Sequence, residues 1–394
     1  MTNSATIDGA HKVFWRACGA LQPEDWNGQE ALLKAVDAQG WELVSKLAVQ
    51  FGLLGLVARN LEWANQRTGI FIPILDRMVA WRYGQLMQML VHRKAARRIG
   101  EALTSGGIQF VIFKGMALVD QVYGDLSLRA FRDCDILVER ERLEAAYTIL
   151  QDLEYSPVLY ERLQDYLVRG KAGINMSHPD GSSVDLHWAI QGYEMEPSDP
   201  EIIWRHCRPP EPSQDLPGWR MSPELTLINV AAHYQVHEYE EIKSLVDFYR
   251  AAITLGERID SDDLLRTARA LDMHQAVDLA ARLCQRFFIP NPLVERLAVG
   301  SPSWHTRLAC SMLTENSLLR LDKMRPTERR LRGLICSGAV SSSAKAFRKM
   351  LLPKASELEL RFGRRFDFSM YPKYYAVQAY RLLGRTRKPF SDLA

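Results

Sequence analysis

The spacing of apolar positions divides the chain into a helical start, a short α/β centre and a helical remainder. Residues 10 to about 105 carry apolar side chains at helical intervals, and Pro73 begins a long predicted helix. After Gly106 the pattern changes to short runs of β-branched and aromatic residues, which are typical of buried strands. Helical spacing returns from Ser222, a predicted N-cap with Pro223 at the first helical position.

The centre of the chain predicts a compact α/β unit. A turn signal at His178–Gly181 separates two of its strands, so these strands form a predicted hairpin. The predicted elements are, in order, strand Ile108–Phe113, helix Met116–Tyr123, a strand that begins near Asp133, helix Arg140–Leu153, and strands Gly173–Ser177 and Ser183–Trp188.

Together these patterns predict an α+β fold, a mostly helical chain with a small mixed β-sheet domain at its centre. Helices are expected again to about Gln285 and from Ser303 to Leu334, and Ser337–Ser343 has the small residues of a linker. The predicted divisions are a helical region at 1–105, the α/β core at 106–190, a second helical domain at 191–336 and a basic, aromatic tail at 337–394.

Composition and charge narrow the setting of the protein. The chain is 47% hydrophobic and 25% charged, which is typical of a folded protein, and its apolar runs are far shorter than a membrane span. The six cysteines form no C-x-x-C pair, so we expect reduced thiols in the cytoplasm. Residues 345–394 hold twelve basic and four acidic side chains, which predicts contact with phosphate or peripheral contact with an anionic membrane surface.

Two aspartates open one of the central strands. Asp133 and Asp135 precede Ile136-Leu-Val138, and because strand side chains alternate, both project from the same face. Like charges side by side repel, and a shared divalent cation would remove that repulsion. Asp185 lies on a later strand and joins the pair if the strands are neighbours. Three carboxylates so placed predict a site for Mg²⁺ or Mn²⁺. Cys134, between the aspartates, is expected to pack on the opposite face.

Basic and small residues near these aspartates predict phosphate binding. Gly115 lies between a strand and a helix, where the backbone can approach a phosphate closely. Lys114 and Arg129 are candidate phosphate contacts, with Arg132 an alternative to Arg129 for the same role.

These residues, in this order, resemble the uncharacterised bacterial nucleotidyltransferase family, part of the DNA-polymerase-β-type superfamily. The likeness consists of Phe113-Lys-Gly115, then Arg129, Asp133-Cys-Asp135-Ile-Leu-Val138 and Val184-Asp-Leu-His-Trp188, and it covers most of residues 75–390. The later helical segment with His233, His237, Lys243 and Asp247 also fits.

The resemblance implies a magnesium-dependent enzyme that moves a nucleoside monophosphate from a nucleoside triphosphate to a hydroxyl group. Asp133 and Asp135 would ligate the metal, and Asp185 would complete the site and act as base. Lys114, Gly115 and Arg129 would hold phosphate. The acceptor would be a small molecule, a sugar or a peptide, as in polysaccharide or modified-peptide biosynthesis. Nucleic acid is not favoured as a partner, because the tryptophans lack the spacing of a base-stacking surface.

Two alternatives stay open. In the first, the protein is a non-catalytic scaffold or partner-binding module whose basic tail contacts phosphate or a membrane. The loop residues Lys114-Gly115-Met116 favour this alternative, because the wider superfamily usually has Gly-Ser or Gly-Gly there. In the second, the same metal site supports phosphotransfer, with attack at the γ-phosphate.

Histidines near the predicted site have weaker signals. His187 shares a face with Asp185, and a structural role through a backbone hydrogen bond is the favoured interpretation. His233 and His237 have the i, i+4 spacing of zinc ligands, but the glutamate of H-E-x-x-H is missing. Packing, or contact with a nucleotide base, is therefore favoured for this pair. Asp247 is expected to cap a helix or to pair with a basic neighbour.

Overall fold

The structure is a computed structural model of the 394-residue chain. The predicted linker Ser337–Ser343 and most of the basic tail lie outside its described residues. The residues that it describes are 4–158, 163–168, 172–190, 198–210, 215–298, 300–322, 324, 326–336, 358 and 367–382.

The chain begins with helices, as the apolar spacing predicts. Asp37 caps α3 by accepting a hydrogen bond from the Gly40 backbone, and Gly69, in the left-handed conformation, ends α4. The predicted helix from Pro73 to about Thr104 is confirmed as α5. The helices are α1 (Ser4–Gly19), α2 (Glu30–Lys34), α3 (Ala38–Gln50), α4 (Leu54–Thr68) and α5 (Leu75–Ser105).

A small mixed sheet follows. Its strands are β1 (Phe110–Phe113), β2 (Cys134–Val138), β3 (Ser156–Pro157), β4 (Gly173–Ser177) and β5 (Ser183–His187), and their order in the sheet is β1-β2-β5-β4-β3. Strand β2 pairs antiparallel with β1 and parallel with β5, while the predicted hairpin of β4 and β5 is antiparallel. The predicted helix Met116–Tyr123 is a short α-helix followed by a π-turn at Val119–Tyr123. The helices of this unit are α6 (Lys114–Leu118), α7 (Leu143–Asp152) and α8 (Leu163–Val168).

Helices form most of the remaining described chain. Ser222 caps α10 as predicted, because its hydroxyl accepts a hydrogen bond from the Leu225 backbone at 3.2 Å and Pro223 occupies the first turn. The elements are α9 (Pro200–Arg205), the two-stranded sheet β6 (Cys207–Arg208) and β7 (Arg220–Met221), α10 (Pro223–Val236), α11 (Ile242–Thr254), α12 (Ser261–Ala270), α13 (His274–Phe287), α14 (Pro292–Leu297), α15 (Trp304–Met312), α16 (Glu315–Leu318), α17 (Pro326–Cys336) and α18 (Met370–Leu382). The predicted α+β fold class is therefore confirmed.

Each face of the sheet packs into a different hydrophobic core. Cys134, Ile136 and Val138 of β2 belong to a core that includes α5 and α7. Leu137, on the opposite face, belongs to a larger core that the N-terminal helices share with α10, α11 and α13. The alternation of β2 therefore directs Asp135 toward the helical body and Cys134 away from it. Both helical regions contribute to this larger core. The domain boundaries at residues 105, 190 and 336 therefore stay predictions from the sequence.

None of the helices in the described ranges combines the length and apolar character needed to cross a membrane.

One glycine of α4 marks a close approach between the helical body and the α/β unit. A Cβ added at Gly55 would lie 1.8 Å from the carbonyl oxygen of Ser127, which is closer than any real contact. We expect Gly55→Ala to lower the free energy of unfolding by about 1–3 kcal/mol or more, because backbone must move. Gly84→Ala, in α5 with open space around it, is the control and should raise stability by up to about 1 kcal/mol. Urea unfolding measures both, and equal effects would contradict the packing argument.

Candidate active site

The register of two parallel strands brings the predicted carboxylates together. Asp135 of β2 lies opposite Asp185 of β5. The structure therefore brings together two of the three acidic residues that the sequence analysis selected, Asp135 and Asp185, on the sheet face that points toward the helical body. Asp133, just before β2, is near enough for the charges of both to act on its carboxyl group. Cys134 is buried on the opposite face, as expected.

Two basic side chains of the protein contact these carboxylates. Lys114 Nζ donates a hydrogen bond to Asp135 Oδ1 at 2.6 Å. His187 Nε2 lies 3.0 Å from the same oxygen, 3.3 Å from Asp185 Oδ2 and 3.2 Å from Lys114 Nζ. The expectation that His187 serves through a backbone hydrogen bond is wrong, because the alternation of β5 places its ring among side chains of the site. Gly173 makes room for this ring, since a Cβ there would lie 2.8 Å from His187 Nδ1.

Burial and charge together set the protonation of this cluster. Burial alone would raise the pKa of Asp135, but Lys114 and His187 hold it well below its usual value. Asp185 likewise keeps a lowered pKa despite burial, mainly because of His187. Burial and the charge of Lys114 oppose protonation of His187, but the two carboxylates raise its pKa above the usual value. Burial also opposes the charged form of Lys114, yet Asp135 raises the net pKa of its ammonium.

Asp133 has the opposite electrostatic environment. Burial, together with the charges of Asp135 and Asp185, raises the pKa of Asp133 to about 6, although Lys114 and Lys243 act in the other direction. Burial is the largest cause of this raised pKa, and the charges of the two neighbouring aspartates add to it, so the ionised form of Asp133 is less favoured than that of Asp135 or Asp185.

This shift in pKa predicts how stability depends on pH in chelator-treated protein. Because Asp133 binds its proton more tightly in the folded than in the unfolded state, its contribution to stability is complete below about pH 4 and lost as pH rises through about 6. The amide that replaces the carboxyl in Asp133→Asn cannot ionise, so we expect this variant to be more stable at pH 7.5, by at most about 3 kcal/mol. Urea unfolding at pH 4 and 7.5 measures the difference, and an equal effect at both would contradict the assignment.

Lys114, the first residue of α6 and the next residue after β1, has a strained backbone conformation. Lys114 has a φ of +53°, a left-handed value that costs a non-glycine residue of the order of 1–3 kcal/mol. Its side chain thereby reaches Asp135. Gly115 is required by close packing, since a Cβ there would lie 2.6 Å from Arg129 Nη1 and 2.9 Å from the Cβ of Phe131. Phosphate binding by Lys114 and Gly115 stays a prediction.

Arg129 forms a buried ion pair behind the start of α6. Its Nη2 donates to Asp247 Oδ2 at 2.8 Å and its Nε lies 3.2 Å from both carboxylate oxygens. Tyr123 donates a further hydrogen bond, of 2.6 Å, to Asp247 Oδ1. The expectation that Asp247 pairs with a basic neighbour is confirmed. Nε and Nη2 of Arg129 are therefore occupied by Asp247, and its predicted phosphate contact would depend on Nη1, which donates to the Ala130 carbonyl oxygen at 3.3 Å.

Lys243, at the start of α11, is a cation that the sequence analysis noted but did not place. Burial and Arg129 lower the pKa of its ammonium, and Asp133 is among the charges that act on it. Within the described ranges it has no hydrogen-bond or ion-pair partner, and its side chain lies beside Gly52. An unpaired ammonium beside a carboxylate cluster is suited to bind an anion.

Helix α10 brings His233 near the same cluster. Burial lowers the pKa of His233 well below its usual value, and the charge of Lys114 adds to this effect. The imidazole is therefore neutral at pH 7 and can act as an acceptor or a ligand.

The carboxylates of this cluster, without the imidazole of His187, fit a divalent metal of the magnesium type. Ligand atoms of Asp135, Asp185 and His187 all lie within 4.8 Å of one another. Asp133 adds a nearby carboxylate, whose pKa is raised first by burial and then by the charges of Asp135 and Asp185. Carboxylate oxygens are the protein ligands that Mg²⁺ and Mn²⁺ prefer. The alternative occupant of this position is Lys114, whose ammonium already neutralises one carboxylate.

From the sequence we did not predict that His187 contacts the carboxylates or that Lys243 lies near Asp133. The contact of His187 with the carboxylates could have been found from its position two residues after Asp185, because both must share one face of β5. Lys243 gave no signal that could have placed it, because it comes near Asp133 only through tertiary packing of α11.

Comparison with known families gives one further finding. The model of a family described as "Uncharacterised nucleotidyltransferase" matches residues 37–289, which span the sheet, α10, α11 and most of the N-terminal helices. A search of curated proteins found no match.

Proposed function

Because the chain belongs to the uncharacterised nucleotidyltransferase family, we propose that it transfers a nucleoside monophosphate from a nucleoside triphosphate to a hydroxyl acceptor. The observation that carries this proposal is the register of Asp135 with Asp185, which sets two carboxylates side by side. Asp133 lies near enough to this pair, to Lys114 and to Lys243 for their charges to act on it. A cluster with this charge has no structural advantage by itself, since like charges on neighbouring strands destabilise a sheet.

In the proposed reaction the acceptor oxygen forms a bond to the α-phosphorus while the bond to pyrophosphate breaks. Asp133, Asp135 and Asp185 would hold the divalent cation, which when bound spreads the negative charge of the displacement. The acceptor proton passes to Asp185, whose lowered pKa keeps it ionised at neutral pH and so able to accept. The leaving group is pyrophosphate, which consists of the β- and γ-phosphates of the nucleotide.

The protein's own cations would bind the triphosphate. Lys243 is suited to this role because it lacks a partner among the described residues and lies near Asp133. Lys114 would exchange its contact with Asp135 for a phosphate oxygen, a movement that lowers the competition for the carboxylate. Arg129 supports the start of α6 from behind, since its Nη1 lies against Gly115. His187 holds Asp135 and Asp185 in place through its Nε2.

Calorimetric titration tests nucleotide binding directly. The full-length protein is titrated with ATP, GTP, CTP and UTP in excess Mg²⁺, and again in chelator. Heat of binding for at least one nucleotide, lost in the chelator, is expected. Phosphorus NMR then identifies the products: pyrophosphate shows nucleotidyl transfer, while a nucleoside diphosphate shows the alternative phosphotransfer reaction. No heat for any nucleotide would count against the proposal.

One observation favours the alternative of a non-catalytic module. Lys114 and His187 together already neutralise Asp135, as a protein-derived substitute for a metal would. A scaffold of this kind would bind Mn²⁺ no better when Lys114 is removed. For the enzyme we expect Lys114→Met to bind Mn²⁺ more tightly, because a competing cation is gone, and nucleotide more weakly. A Mn²⁺ titration monitored by electron paramagnetic resonance distinguishes the enzyme from the non-catalytic module.

The proposal names the acceptor only by its chemical class, and it includes peripheral membrane contact as a second element. A sugar, peptide or small-molecule hydroxyl fits the chemistry, and peripheral contact through residues 345–394 depends on a tail that lies mostly outside the described residues.

A further inference from the structure

We propose that His233, His237 and Glu241 form a second metal site, which binds a zinc-type divalent ion and shares no ligand with the neighbouring carboxylate cluster. The inference does not depend on the proposed function, because it concerns ion binding at different residues.

The three side chains converge closely. His233 Nε2 lies 3.8 Å from Glu241 Oε2, and His237 Nδ1 lies 3.2 Å from Glu241 Oε1. The two imidazole centroids are 4.4 Å apart, and one ligand atom from each residue can be chosen so that all lie within 4.8 Å of one another. Zinc ligands at 2.0–2.1 Å from a tetrahedral ion are roughly 3.3 Å apart. Shifts of about 1 Å or less in flexible side chains would therefore complete the coordination.

Sequence spacing alone does not explain how Glu241 reaches the histidines. On a continuous helix a residue eight positions after His233 would lie about 12 Å further along the axis. The chain instead leaves α10 at His237 and turns back. Two consecutive non-glycine residues of this turn, Glu238 and Tyr239, have φ values of +55° and +61°. Each such residue costs of the order of 1–3 kcal/mol, and strain of this kind is typically retained at functional sites.

Contacts from α17 hold the strained turn in place. Arg329 forms an ion pair with the Glu238 carboxylate, and Arg332 Nε donates to the Glu238 carbonyl at 3.0 Å. The Tyr239 hydroxyl donates to the carbonyl of Cys336 at 3.1 Å. These bonds stabilise the one backbone conformation that directs Glu241 toward the histidine pair, so the arrangement of three ligands is preorganised.

The donor set determines which ion is expected. Two imidazoles and one carboxylate suit zinc, and also cobalt, whereas Mg²⁺ prefers oxygen ligands only. Three protein ligands leave a fourth position for water or another ligand. The side chains of His233, His237 and Glu241 are 24%, 39% and 37% exposed, so an ion has access from solvent.

The test is a zinc titration of chelator-treated, full-length protein against a chromophoric chelator, in excess Mg²⁺ and without nucleotide. We expect one equivalent of Zn²⁺ to bind the original protein. In His237→Gln the affinity should fall at least about 100-fold, since removal of a direct ligand costs more than loss of an outer contact. Co²⁺ in place of Zn²⁺ should give visible absorption bands that the same variant lacks.

Two control variants distinguish this site from its neighbours. His305→Gln removes a half-buried histidine outside the cluster, and Asp185→Asn alters the carboxylate site; both should keep full zinc affinity. Unchanged zinc binding in His237→Gln would overturn the proposal, as would loss in Asp185→Asn, which would place the ion among the carboxylates. If His237→Gln does not fold by circular dichroism, Glu241→Gln provides the same test.

Discussion

The Asp133→Asn variant is expected to lose nucleotidyl transfer by at least about 10³-fold while staying at least as stable as the original protein. The two effects have one cause. Burial and the neighbouring carboxylates raise the pKa of Asp133 to about 6, so its ionised form is unfavourable in the free protein. The same negative charge is what would hold a divalent cation when nucleotide binds. An amide relieves the repulsion and removes a metal ligand in one change.

The measurement is release of pyrophosphate and transfer of label from an α-labelled nucleoside triphosphate, with a panel of hydroxyl acceptors. Asp152→Asn is the control, because this exposed aspartate at the end of α7 undergoes the same chemical change away from the cluster. We expect full activity in that variant. Activity in Asp133→Asn within about tenfold of the original would contradict a metal role for Asp133. A loss explained by unfolding is excluded by urea unfolding of the same samples.

Local sequence patterns predicted much of the α/β centre. Period-two alternation placed Asp133 and Asp135 on one face and Cys134 on the other, and the turn residues between Ser177 and Ser183 predicted a hairpin that the structure contains. The helix cap at Ser222 was predicted for the same reason, since capping depends on a few adjacent residues. Features of this kind are determined within about ten residues of sequence.

The features that sequence could not give are those made by distant residues. Pairing of β2 with β5 rather than with β4 depends on tertiary packing, and only that pairing sets Asp135 beside Asp185. The left-handed Lys114 and its contact with Asp135 depend on the same packing. A lysine next to a glycine in sequence indicates phosphate binding by analogy, yet does not show which anion, phosphate or carboxylate, it binds in the folded chain.

The ion pair of Arg129 and Asp247 illustrates this most clearly, since 118 positions separate its partners. It joins the loop before β2 to α11, and thereby fixes the sheet, with its aspartates, against the helix that carries Lys243. A site assembled from both units requires such a connection. The sequence shows only that a basic and an acidic residue are present. Because both side chains are buried in the folded protein, each charge needs the other to offset the cost of leaving water.

Asp247→Ala is accordingly expected to lower the free energy of unfolding by about 3–5 kcal/mol. The side chains of Arg129 and Asp247 are 5% and 2% exposed, so the substitution leaves a buried guanidinium without its counter-ion. It also removes the acceptor of the Tyr123 hydroxyl. The cost arises mainly from the uncompensated charge, and we therefore expect the double variant Arg129→Met/Asp247→Leu to recover much of the stability.

Urea unfolding of both variants tests this origin of the cost, with Asp8→Ala as control. Asp8 pairs with Lys12 on the surface of α1, where the side chains are more than half exposed, so its removal should change stability by less than about 1 kcal/mol. The double variant should still lose nucleotide binding, because Arg129 Nη1 no longer supports Gly115 and the adjacent Lys114. A small effect of Asp247→Ala, or a double variant as unstable as the single one, would contradict the view that a buried charge pair joins the sheet to α11.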